Sequence, residues 1–266
     1  MSSVPDAPAM PDVRHDPWRP LRYAVRVPLL LLHLLIGLPI TLLLINPLTA
    51  RWRIDGERVD HRVIRVWSKL MMRIFGFRVQ RFGVPLRGAV LCVANHVSWM
   101  DITLLHSARV VGFVAKSEIS RWPLIGWLAR RAGTIYHRRG SNESLTGVLH
   151  QMVQRMQSGE AVGVFPEGGA TGGATVRTFH ARIFQAAVVA EAPVQPVALR
   201  YGAGGSAQTI IAFAPGENFL ANFIRVLGEP GRIAEVHFLD PVMPSADGRR
   251  RLAETCRELI VKAMGS

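Results

Sequence analysis

The chain has 266 residues, enough for a sizeable core, and its first 80 residues differ enough from the rest to divide it into a membrane-binding segment and one globular domain. Lys and Arg outnumber Asp and Glu by 32 to 19 on a chain that is 49% hydrophobic. That pairing favours anionic lipid over nucleic acid, because Arg is scattered and no zinc-finger, RNP or basic-zipper pattern appears. Two cysteines exclude a disulfide framework and a metal knuckle and fit a reducing compartment.

Residues 1–18 are rich in Pro, Asp and Ser and read as a disordered leader. Residues 27–45 are almost wholly apolar, interrupted by His33, Gly37 and Pro39, and only marginally meet the roughly 20 residues that a bilayer core requires. Arg19, Arg22 and Arg26 precede the run and Arg51, Arg53 and Arg58 follow it, so charge gives no clean orientation and suits a segment that dips into one leaflet and returns. The long leader and the lack of a small-residue cleavage site argue that the segment is retained. Residues 57–75 have apolar residues at helical spacing, Val59, Val63, Val66, Trp67, Leu70, Met71 and Ile74, with Arg62, Arg65, Lys69 and Arg73 between them. A core-packing helix and a surface-lying membrane helix fit this equally well.

After Gly76 the pattern alternates. Strands are expected at 77–81, 89–94, 111–115, 134–136, 161–165, 194–201, 209–213 and 234–238, and helices at 101–107, 123–132, 144–157, 180–190 and 246–264. The expected fold is α/β, a mixed sheet flanked by helices, preceded by a membrane-associated N-terminal helical segment over 19–76. The globular domain then covers 77–266. Cys92, inside the apolar run Val90-Leu91-Cys92-Val93-Ala94, reads as a small buried side chain and not a reactive thiol.

The most informative stretch is Asn95-His96-Val97-Ser98-Trp99-Met100-Asp101, where an apolar strand ends in a polar turn and a helix begins. Asp101 near the first helical turn can fold back onto one imidazole nitrogen of His96, leaving the other to accept a hydroxyl proton. The spacing alone is weak, since nine histidines produce such a match by chance in roughly one chain out of two or three. Two further strand ends strengthen it. One is Gly133-Thr134-Ile135-Tyr136-His137-Arg138-Arg139, whose arginine forks suit a phosphate, a solvated basic loop being the alternative. The other is Phe165-Pro166-Glu167-Gly168, where glycine allows close approach to the backbone and Glu167 can accept hydrogen bonds from a hydroxyl.

Together these blocks resemble the glycerolipid acyltransferase family that includes 1-acylglycerol-3-phosphate acyltransferases. Asn95-His96 with Asp101 is similar to its first block, 133–139 to its second, Phe165-Pro166-Glu167-Gly168 to its third and Val194-Gln195-Pro196-Val197-Ala198 to its fourth; Lys116-Ser117-Glu118 with Pro123 and Gly126 looks like the link between the first two. The resemblance implies that His96 is the general base and Asp101 its partner, that Arg139, Glu167, Gly168 and Lys116 lie on the acceptor side, and that Pro196 shapes the acyl-donor side. It further implies an acyl-CoA or acyl carrier protein thioester as co-substrate, no separate cofactor, no metal, and a lysophospholipid acceptor at the inner or cytoplasmic membrane, with the catalytic domain facing the cytoplasm. The commonest acceptor is 1-acylglycerol-3-phosphate, with lyso-ornithine lipid as the main alternative and other lysolipids beside it. Two departures bear on the head group: Gly169-Ala170 stand where the family has Thr and often Arg, and Arg138 stands where an acid is common.

A serine hydrolase is excluded by the lack of a Gly-x-Ser-x-Gly elbow. Gly202-Ala203-Gly204-Gly205 faintly matches a dinucleotide loop, but an apolar β-like run follows where a helix is required. A non-catalytic lipid-binding protein is the rival from another class; it needs neither His96 nor Asp101.

Overall fold

The computed structural model describes residues 16–122, 125–138, 142–170 and 172–265. The expected leader lies outside them up to residue 15, as do Pro123 and Arg139. One helix runs over Arg19–Leu44, as α1 (Arg19–Leu32), a π turn (His33–Gly37) and α2 (Leu38–Leu44). It begins eight residues before the apolar run, because Arg19-Pro20 opens it and Pro28 is accommodated inside it. Leu21, Val25, Leu29, Leu32, Leu35, Ile36, Ile40 and Leu43 along it are all exposed. By length and composition it is long and apolar enough to cross a membrane.

A short hairpin of β1 (Arg53–Ile54) and β2 (Glu57–Arg58) leads into α3 (Val59–Ile74). Of the two readings of this helix, packing accounts for most of it. Ile64, Ser68, Met71 and Met72 are buried, and α3 lies against α4 (Met100–Ala108) and α2. Val66 and Leu70, expected on the apolar face, are instead exposed.

The chain then builds a seven-stranded mixed sheet from β3 (Phe77–Phe82), β4 (Val90–Ala94), β5 (Gly112–Lys116), β6 (Ile135–His137), β7 (Ala161–Val164), β8 (Val194–Tyr201) and β9 (Arg232–Phe238). Its order is β3-β9-β8-β4-β7-β5-β6, all pairs parallel except β8 with β9. Every residue of β4 is buried, as expected for a central strand covered on both faces. Val90, Cys92 and Ala94 enter the core under α3 and α4, with Val197, Leu199 and Tyr201 of β8. Leu91 and Val93 enter the opposite core. There they meet α6 (Asn142–Gln157), α7 (Gln185–Ala190) and α10 (Gly248–Met264). The remaining helices are α5 (Ile125–Arg131), α8 (Gln208–Ile211) and α9 (Phe219–Leu227).

The expected strand at 209–213 does not form. Residues 208–211 make α8, and the Gln208 side chain takes the place of a ladder partner, accepting from Tyr201 N at 2.7 Å and donating to Leu199 O at 3.1 Å. Tertiary contacts therefore override the β preference of Thr209-Ile210-Ile211. The expected helix at 180–190 opens as a 3-10 turn, Ala181–Phe184, before α7. No element was expected at 219–227, where Asn218 caps α9 by accepting from Ala221 N at 2.9 Å.

The basic residues ahead of the apolar run turn inward. Arg19 donates to Arg225 O (3.1 Å), Arg22 to Gly228 O (2.6 Å), and Arg26 to Leu227 O (2.8 Å) and Glu229 O (2.7 Å), while Tyr23 donates to Ile224 O (2.9 Å). Three guanidinium groups thus satisfy the carbonyls at the C-terminal end of α9, where a helix presents partial negative charge. Gly76, at φ +85°, leaves the space for Arg26; a Cβ there would sit 2.2 Å from its Nη2.

Candidate active site at the strand ends

Side chains for chemistry collect where parallel strands end, because the chain there leaves the ladder and can face a crevice. In the β4–β7 register Val93 is level with Val164. His96 and Glu167 each stand three residues beyond that pair, and Glu167 Oε1 accepts the His96 backbone N–H at 2.8 Å. Its other oxygen accepts Arg177 N at 2.8 Å. Glu167 is buried, and burial pushes its carboxyl up while the amides of Arg177 and His96 draw it partly back. The carboxylate thus ties the turn after β4 to the segment that follows β7. Gly168 has φ +77°, and a Cβ there would lie 2.7 Å from His180 Nε2, so glycine serves both the turn and the close approach.

His96 Nδ1 lies 2.8 Å from Asp101 Oδ2. The same oxygen accepts the backbone N–H groups of Val97 (2.6 Å) and Ser98 (2.9 Å) in the turn that leads into α4. Asp101 Oδ1 accepts the Tyr201 hydroxyl at 2.7 Å. Asp101 and Tyr201 are both 0% exposed, whereas the His96 side chain keeps 17% of its surface in solvent. Burial and the neighbouring carboxylate push the Tyr201 hydroxyl well above its ordinary value, so it stays the donor. The phenyl ring of Phe165 stacks on the imidazole, centroids 4.1 Å apart at 14°, and on Phe113 beyond it at 5.2 Å. The result is an imidazole held by an acceptor at Nδ1 and walled on one face. That is the geometry of an oriented general base.

The expected residues divide by this geometry. His96, Asp101, Glu167 and Gly168 come together. Lys116 ends β5 at the same end of the sheet, opposite His137, and is exposed. Pro196 is buried within β8 beside Val93, three residues short of the His96 level, its carbonyl accepting Leu239 N. Arg139 lies outside the described residues. Tyr201 was not singled out, and Phe165 and Asn95 stood in the motif blocks without a role. Asn95 exchanges two bonds with Leu199, donating to its carbonyl at 3.0 Å and accepting from its N–H at 2.8 Å, and so extends the β4–β8 pairing past Ala94. A hydroxyl at the end of an apolar strand, as on Tyr201, demands a buried partner and was the signal available.

The acyltransferase family model matches residues 77–200. The chain is 34% identical over 218 residues to a lyso-ornithine lipid O-acyltransferase of Pseudomonas aeruginosa, covering 80% of this chain and 84% of that one. It is 36% identical over 152 residues to a 1-acyl-sn-glycerol-3-phosphate acyltransferase of Neisseria meningitidis serogroup B, covering 56% and 60%. The crystal structure of the 1-acyl-sn-glycerophosphate acyltransferase of Thermotoga maritima shares the fold, with a TM-score of 0.68 at 19% identity over 93% of this chain and 98% of that one. With His96 and Asp101 paired at the strand ends and a relative aligned over most of both lengths, the chain belongs to the membrane-associated family of lysolipid O-acyltransferases.

Proposed function

We propose that the protein transfers a fatty acyl group from an acyl-CoA or acyl carrier protein thioester to the hydroxyl of a lysolipid, with no separate cofactor. The observation that carries this reading is His96 held through Nδ1 by a buried Asp101. His96 Nε2 takes the proton of the acceptor hydroxyl as its oxygen attacks the thioester carbonyl carbon. The new C–O bond replaces the C–S bond, and the leaving thiolate takes up the proton from the imidazolium. Asp101 keeps the ring in place and stabilises its charged form. The catalytic domain faces the cytoplasm, where both thioester donors are made.

On the family resemblance, Arg139 and Lys116 bind an anionic group of the acceptor, a phosphate or a carboxylate. The first reading is 1-acylglycerol-3-phosphate, giving phosphatidic acid. Lyso-ornithine lipid is the second, supported by the Pseudomonas aeruginosa relative, aligned over most of both chains, which bears that name, as do relatives from Brucella abortus and Rhodobacter capsulatus. The test offers the purified chain one labelled acyl donor and a panel of lysolipids. Labelled product with one acceptor supports the reading and chooses between the two; thiol release with none of them overturns it. His96→Ala should abolish transfer with the protein still folded and membrane-bound.

A further inference from the structure

The outer face of α9 lacks what a water-facing helix needs. Leu220, Ala221 and Ile224 are exposed, Leu220 at 63% and Ile224 at 49%, and none carries a charge. A helix against water normally places charged residues there. The one basic residue of α9, Arg225, turns inward to Glu217 and to the carbonyls of Ile210 and Ala212. The opposite face, with Asn222, Val226 and Leu227, is buried.

What covers the outer face is indicated by its neighbour. Tyr23 and Arg19 of α1 bond to the carbonyls of Ile224 and Arg225, which sets the second turn of α9 directly against the first turns of α1. Trp18 and Leu21 are exposed at that end of α1. An exposed Trp ahead of an apolar helix marks the depth at which water meets lipid. The α9 face is therefore continuous with an apolar helix that begins at the same depth. On its inner side Phe219 and Phe223 pack against Trp99, whose indole N–H donates to Asn222 Oδ1 at 3.0 Å. Trp99 stands immediately before α4, two residues from Asp101.

We propose that α9 lies in the lipid interface beside α1, with Leu220, Ala221 and Ile224 among the acyl chains, as a second membrane contact of the catalytic domain. This rests on membrane attachment through the Arg19–Leu44 helix. The two contacts together set the tilt of the domain, and the Trp99 cluster joins the second one to the strand ends that hold His96.

The experiment uses the full chain in vesicles of phosphatidylglycerol and phosphatidylethanolamine. Cys92 and Cys256 are buried, so a nitroxide label is directed to Leu220→Cys or, as the attachment reference, to Leu35→Cys. Accessibility to oxygen, which concentrates in lipid, is compared with that to a water-soluble nickel chelate. The expected result is that both labels favour oxygen. A lipid-exposed label at 35 with a water-exposed one at 220 overturns the proposal and leaves attachment through the first helix standing. Water exposure of both overturns both. A label at 220 shielded from both quenchers and broadened by a neighbouring label places a second copy of the chain on the face, and overturns the proposal as well.

Discussion

Tyr201 and Asp101 form a buried hydrogen bond of 2.7 Å between the last residue of β8 and the first turn of α4, and it joins the sheet to His96 through a single carboxylate. The other oxygen of that carboxylate holds His96 and two amides. Tyr201→Phe removes one donor from a buried charge, an interaction of about 1.5–3 kcal/mol. With Asp101 less firmly held, kcat should fall about tenfold while KM for the acceptor stays unchanged, as measured by steady-state transfer. A Tyr201 that served packing alone would leave kcat of the folded variant at the wild-type value.

Asn95 acts on stability. Asn95→Ala strips both of its bonds to Leu199 and leaves a buried N–H without its partner. The expected loss is about 2 kcal/mol in urea unfolding. Leu199 O retains its bond from Gln208, so Gln208→Ala in the same background should cost more than the sum of the two single changes.

The pairing of Glu217 with Arg225 is sensitive to acid. Burial alone raises the Glu217 carboxyl, but the hydrogen bonds from Arg225, Asn222 and the Ala214 amide outweigh it and lower the carboxyl from 4.5 to about 2. A carboxyl depressed on folding contributes stability above its unfolded value, and that contribution is lost as pH falls through the folded one. The difference in unfolding free energy between wild type and Glu217→Gln should be constant above about pH 5 and shrink from about pH 4.5 toward 2. Denaturant titrations across that window check it; a difference that persists unchanged at pH 2 would refute the assignment.

The cysteines allow a clean assay. Burial pushes the Cys92 thiol up to about 11 and that of Cys256 to about 12, and both are enclosed. A chromogenic thiol reagent used to follow release from the thioester should detect no protein thiol in the native state and two per chain after denaturation.

The sequence and the structure agree wherever a local signal had no competitor. The five apolar residues of β4, the polar turn at Asn95-His96 and, to within one residue, the helix start at Met100 were all legible, because burial on both faces and a strand-end turn leave their pattern in consecutive residues. What could not be read required partners distant in the chain. Tyr201 lies 100 residues from Asp101, and Gln208 turned an apparent strand into a helix by bonding to β8. Glu167 was expected to face a hydroxyl; its two amide partners depend on the parallel β4–β7 register, which composition does not encode. The inward turn of Arg19, Arg22 and Arg26 was likewise hidden, since a basic flank next to an apolar run reads the same whether it faces lipid head groups or the end of another helix.

That clamp has a kinetic consequence. Five hydrogen bonds from the first two turns of α1 make the joint with the catalytic domain rigid, so the domain cannot swing out on a flexible tether to collect acceptor from bulk water. Encounter with the lysolipid becomes a two-dimensional search. Its rate is then governed by the mole fraction of acceptor in the surface and its lateral diffusion, so diluting the acceptor with inert lipid should slow turnover even when its total concentration is held constant.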